Sequence, residues 1–143
     1  MRTLQPSVLL RRAFVADAAA TGLVALAQLA DTDALVGLLG LPRALLVESG
    51  AFLVAYVLLL ALLARAPRLP SALVLFIVVG NVGWALGATA LWIDHLVAPT
   101  APGIAWLAAQ AIATLVLAAW EYAGWKASTA VGGAAVATPR PNW

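Results

Sequence analysis

The sequence predicts an all-α integral membrane protein, a bundle of four transmembrane helices joined by short loops with both termini cytoplasmic. Three observations carry that expectation. Of 143 residues, 64% are hydrophobic and only 10% are charged, with a mean hydropathy of +1.01, whereas soluble domains carry about a quarter charged residues. The apolar residues gather in four runs, each near the roughly 20 residues that a helix needs to cross a ~30 Å hydrocarbon core. Proline and glycine punctuate the connectors between runs. A chain this apolar and this poor in charge is not disordered either.

The first span is expected over Ala13–Ala30, interrupted by Asp17, Thr21, Gly22 and Gln28. Arg11 and Arg12 ahead of it resemble the start of a secretory leader. Asp17 within the run, and Asp31 and Asp33 where a small-residue cleavage site would stand, favour a retained span. Asp33 is expected to cap a short interfacial helix, Ala34–Leu39, closed by Gly40. The second span is expected over Ala44–Ala64 with Pro42 at its first position, where a missing N–H costs nothing. The third, Ser71–Ile93, follows the tight turn Ala66-Pro67-Arg68-Leu69-Pro70. The fourth, Ile104–Tyr122, follows Pro99 and Pro102. Residues 1–125 thus form one transmembrane domain, and 126–143, rich in Ala, Gly, Thr and Pro, are expected to be a flexible cytoplasmic tail.

Orientation follows from the basic residues, which short cytoplasmic loops retain. Arg2, Arg11, Arg12, Arg65, Arg68, Lys126 and Arg140 fall on one side and only Arg43 on the other, placing both termini inside. This asymmetry and anionic headgroups account for the net charge of +2, so no nucleic-acid partner is inferred. The expected location is a bacterial inner membrane. Trp92 and Trp106 at one boundary, with Trp120, Tyr122 and Trp125 at the other, read as interfacial belts.

Polar residues inside the bilayer are costly and need partners. Asp17, Thr21 and Gln28 share one face of the first helix, Asn81 lies on the third, and Gln110, Thr114 and Glu121 share a face of the fourth. Glu48, with Ser49, is the contribution of the second. Together these form an expected polar seam, with Arg11 or Arg12 within reach of Glu121. Asn, Gln and Thr at such sites commonly act as glue between helices; Asp17 and Glu48 are the stronger functional candidates. Gly80, Gly83 and Gly87 form a small-residue face for close helix packing, within the chain or from a partner. Trp84, too deep for a belt, and Trp92 are candidate contacts for a hydrophobic ligand.

The chain has no cysteine and one histidine, His95, which excludes disulfides, thiolate metal sites, iron–sulfur clusters and bis-histidine haem ligation. Asp94 and His95 with Asp31 and Asp33 lack any metal-binding spacing, and no metal site is expected. Neither a nucleophile triad nor a phosphate loop is present, so no enzyme activity is expected.

Leu38-Leu39-Gly40-Leu41-Pro42, followed by Glu48, Gly50 and a leucine-rich span, resembles small bacterial four-helix membrane proteins of the DoxX-like kind, in layout over residues 8–125. The chain departs from them at Gln28-Leu29-Ala30, where they carry glycine and lysine. The resemblance implies a non-catalytic membrane component that associates with redox enzymes or other membrane proteins, and names no cofactor.

The leading expectation is an accessory, scaffold or assembly subunit packing against a larger membrane complex, or a homo-oligomer. The alternatives are a small transporter or proton conductor using Asp17 and Glu48, and a binder of lipid, quinone or carotenoid.

Overall fold

The computed structural model describes residues 3–131. Strand β1 (Thr3–Gln5) leads into α1 (Val8–Ala30), followed by a short α2 (Thr32–Leu39), α3 (Arg43–Arg65), β2 (Leu69–Pro70), α4 (Ser71–Ile93), α5 (Ala101–Lys126) and β3 (Thr129–Val131). The four long helices α1, α3, α4 and α5 are long and apolar enough to cross a membrane. They contain the four spans read from the sequence and extend beyond them at several ends.

Local chemistry sets the boundaries. The Ser7 hydroxyl accepts from the Leu10 N–H and starts α1, and the Thr100 hydroxyl does the same for Gly103 in α5. At α2 the cap is Asp31, whose carboxylate accepts from the Ala34 N–H, and not Asp33 as expected. Asp33 instead pairs with Arg43 at 2.9 Å; this guanidinium holds its carboxyl below the usual carboxylate range. Gly40 closes α2 at φ 65° with its N–H on the Val36 carbonyl.

The all-α expectation needs one addition. β1 pairs antiparallel with both β2 and β3 in a three-stranded sheet, with Leu4 opposite Leu69 and Ala130. This sheet gathers the start of the described chain, the α3–α4 connection and the segment after α5 at one end of the bundle. The expected flexible tail, 126–143, therefore includes the last residue of α5 and the strand Thr129–Val131; residues 132–143 lie outside the described residues. The same end carries Arg11, Arg12, Arg65, Arg68 and Lys126, while Arg2 and Arg140 also lie outside the described residues.

The helices pack in the order α3, α1, α5, α4. Two apolar clusters stabilise the ends. At the sheet end Leu4, Leu10, Phe14, Leu60, Leu69 and Ile77 close together; at the other, Leu39, Leu41, Leu46, Ala88 and Leu107 do. Polar ties add register. The Ser7 hydroxyl donates to the Gly124 carbonyl at 2.8 Å, and the Trp125 indole donates to Ser71 at 2.9 Å. Arg11 donates to the Ala64 carbonyl at 2.7 Å, placing its charge at the negative C-terminal end of α3. The expected ion pair between Arg11 or Arg12 and Glu121 is not formed, because Arg11 is turned to that carbonyl.

Close helix approach uses glycines other than those expected. A Cβ on Gly124 would lie 2.6 Å from the Leu10 Cα, and one on Gly50 2.9 Å from the Leu29 side chain, whereas Gly80, Gly83 and Gly87 have nothing within 4 Å. Among the described residues, no helix packs closely on Gly80, Gly83 or Gly87. Gly124→Ala is therefore expected to destabilise by about 1–3 kcal/mol through overpacking against rigid backbone. Gly80→Ala should be neutral or stabilising through helix propensity, by up to ~1 kcal/mol. Unfolding in mixed micelles compares the two.

Candidate functional site

Between the two apolar clusters the four long helices meet in a polar cluster with one main contributor each: Asp17 from α1, Tyr56 from α3, Asn81 from α4 and Glu121 from α5. Asp17 lies nine residues from the start of α1, Tyr56 nine from the end of α3 and Asn81 ten from the start of α4. At 1.5 Å per residue all three sit about 14–15 Å from the sheet end. Glu121 starts lower, but α5 runs the other way and its side chains lean toward the α5 N-terminus. That lean carries the carboxyl up to Asn81.

The hydrogen bonds join all four helices. The Asn81 amide Nδ2 donates to Asp17 Oδ2 at 2.9 Å and to Glu121 Oε2 at 3.0 Å. The Tyr56 hydroxyl lies 3.0 Å from Asp17 Oδ2 and 3.1 Å from Asn81 Oδ1, and its single proton serves one of them at a time. The Thr21 hydroxyl donates to Asp17 Oδ1 at 2.8 Å. Asp17 and Glu121 are fully buried, and Glu121 Oε1 has no hydrogen-bond partner. Among the described residues no arginine or lysine bonds to either carboxyl.

Charge burial makes this arrangement informative. Two carboxylates taken out of water without a cation would carry an uncompensated cost of several kcal/mol per ion. One amide and two hydroxyls supply hydrogen bonds but no charge. The cluster therefore needs a positive countercharge, which a bound proton or a small cation supplies.

Beside the cluster lies a cavity of about 360 Å³. Consecutive helices α3 and α4 are not packed on one another as the other neighbours are, and the cavity fills the space between them. Tyr56, Asn81 and Thr21, with Gln110 and Thr114 from α5, are its polar lining; Phe52, Phe76 and Trp84 supply aromatic surface, and Gly80 leaves room on α4. Tyr56, Phe52 and Trp84 stack in a ladder, with centroids 6.4 and 5.9 Å apart and planes 8° from parallel. Phe52 and Phe76 are more than half exposed, so the cavity is a groove open to the side of the bundle, toward the acyl chains of a surrounding bilayer.

The expected seam divides in four. Asp17, Thr21, Asn81 and Glu121 come together. Gln28 lies apart, paired with the Ser49 hydroxyl at 3.3 Å. Gln110 lines the groove together with Thr114, whose hydroxyl donates to the Gln110 backbone carbonyl. Gln110 also borders a second cavity of about 430 Å³ with Gln28, Ser49, Gly83 and Gly87. Glu48 is exposed on the outer face of α3, apart from Asp17, and lines neither cavity. Trp84 borders both cavities, whereas Trp92 lines neither and packs against the apolar cluster at the α2 end. Asp31, Asp33, Asp94 and His95 do not gather, and among the described residues no group of three or more potential ligands is placed to hold a metal ion.

Tyr56 is the member that sequence reasoning missed. Its signal was depth: a tyrosine nine residues inside a span is no interfacial anchor, and with Phe52 it forms an i, i+4 aromatic pair. No family model, curated protein or solved structure matches the chain.

Asn81→Leu removes the amide that donates to both Glu121 and Asp17. It is expected to destabilise by about 1–3 kcal/mol, and Tyr56→Phe by about 1 kcal/mol. Thermal melting in mild detergent measures both, with exposed Glu48→Gln expected to leave the midpoint unchanged.

Proposed function

We propose that this protein binds a small lipid-soluble molecule, with an apolar body and a polar or charged end, in the lateral groove between α3 and α4. The observation that carries this reading is the groove itself, an aromatic-lined space of about 360 Å³ that opens sideways and carries Tyr56 and Asn81 in its wall. Ligand sites are commonly apolar concavities with a few convergent polar groups, and this one is placed for entry from the bilayer. The apolar body lies against Phe52, Phe76 and Trp84. The polar end meets the Tyr56 hydroxyl and the Asn81 side chain, which the carboxyls behind them hold in place.

The accessory-subunit reading stands second. It rests on Gly83 and Gly87, which are exposed and where an added Cβ would meet no other described part of the chain within 4 Å, leaving room for a partner helix. The conductor reading loses Glu48 as a participant and keeps Asp17. N-in/C-in insertion in a bacterial inner membrane remains our proposal, supported by the clustering of basic side chains at the sheet end.

The test uses Gly80→Leu, which fills the groove at a position where a Cβ meets nothing. Wild-type protein purified in mild detergent is expected to retain a lipid-soluble compound detectable by mass analysis of its organic extract. The variant should lose it while melting at the same temperature. Equal retention by both proteins would exclude the groove as the binding site, and Gly87→Leu reports whether the glycine face is instead covered by a partner.

A further inference from the structure

We propose that the ligand of the groove is a lipophilic organic monocation, and that it exchanges with a proton held by the Asp17–Glu121 pair. This inference rests on the groove-binding reading and names the ligand's chemical class.

Three independent features point the same way. First, among the described residues no lysine or arginine bonds to the pair: both carboxyls are fully buried and the neutral Asn81 amide lies between them. Second, the pair stands one hydrogen bond behind the groove wall, since the wall residues Tyr56, Asn81 and Thr21 all contact Asp17. A positive charge seated against that wall lies close to the pair with little water between. Third, the Tyr56–Phe52–Trp84 ladder offers aromatic surface next to that position, and such faces attract a desolvated cation. An anionic ligand would meet two buried carboxyls, and a neutral one would leave the countercharge to the proton alone.

The groups that face the pair are few. From α1 there is Asp17 itself, with Arg11 bonded to the Ala64 carbonyl; from α3, Tyr56; from α4, only the neutral Asn81; and from α5, Glu121. Proton exchange is thus confined to the carboxyl pair. With the groove empty, one proton is shared by the two carboxyls. When the cation enters, that O–H bond breaks, the proton leaves to water and the carboxyl keeps the electron pair. One positive charge replaces another, and the charge inside the bundle is unchanged. Cation and proton compete, so affinity for the cation rises as pH rises.

Equilibrium dialysis of the full chain in mild detergent, with tetraphenylphosphonium and tetraphenylborate, tests this directly. The two probes have similar size and shape and opposite charge. Gly80→Leu, with its groove filled, gives the micelle background. The expected result is saturable binding of the phosphonium at least tenfold tighter than the borate, tightening with pH, with a proton released into weakly buffered medium for each cation bound. Glu121→Gln should weaken binding at least tenfold and abolish the proton release; Asp17→Asn is the second variant should the first not fold. Equal binding of the two probes, or cation binding without proton release, would overturn the cation proposal and leave the groove reading standing. Binding that Gly80→Leu does not reduce would overturn both.

Discussion

One amide group, the Asn81 side chain on α4, holds the centre of this bundle together. Its Nδ2 reaches α1 through Asp17 and α5 through Glu121, and its Oδ1 lies against the α3 tyrosine. In hydrocarbon a polar side chain has no water to fall back on, so its partners must come from other helices. Each of the four long helices is tied at one height by that requirement. The apolar clusters on either side contribute more area but less register, because Leu-against-Leu packing tolerates small slides that a hydrogen bond of 2.9 or 3.0 Å does not.

The same tie explains how the bundle can stay open between α3 and α4. Small residues let α1 and α5 come close at the sheet end, where Gly124 meets the Leu10 backbone. On the facing sides of α3 and α4 stand Phe52, Tyr56, Phe76 and Trp84, which are large and lie where close approach would otherwise occur. The short connector Ala66–Pro70 and the β1–β2 pairing fix these two helices at one end. The groove runs along the facing sides of these two helices, with Leu59, Phe76 and Ile77 lining it on the sheet side of Tyr56 and Asn81. Its lateral opening is thus a consequence of side-chain size on two helices that meet through long side chains, the Tyr56–Asn81 bond and the Phe52–Trp84 stack, and not through their backbones.

Much of this was legible in the sequence, for identifiable reasons. Hydropathy alone places four spans, because length and apolarity are local properties. The faces carrying Asp17 and Thr21, and Glu121, follow from helical spacing, as does the inward position of Asn81. The α3 contribution was misassigned to Glu48, although Ser49 and Tyr56, seven residues apart, point within about 20° of each other, while Glu48 and Tyr56 diverge by about 80°. Charge drew attention where periodicity would have chosen Tyr56. The sheet was illegible, since strands of two or three residues carry no alternation and pair across most of the chain. The glycine faces were illegible for another reason: spacing shows that a helix has a small face, and says nothing about whether a neighbour comes near. Gly83 and Gly87 have the motif and stand open, while Gly124, with no motif, sits against backbone.

The carboxyl pair is hard to account for as structure alone. Hydrogen-bonded glue between membrane helices needs only neutral groups, and Asn, Gln, Thr and Tyr supply on the order of 0.6–2 kcal/mol each without a charge to bury. Asn81 and Tyr56 already connect α3 and α4 in that way, and a glutamine at 121 would keep the bond to α5. Two fully buried acids to which no cation among the described residues is bonded instead impose a charge-balance condition on the bundle. A fold that merely needed cohesion would be more stable without that condition. Its presence beside a groove open to the bilayer is what ties the cluster to binding, because occupancy of the groove by a positive charge and the charge state of the pair then depend on each other.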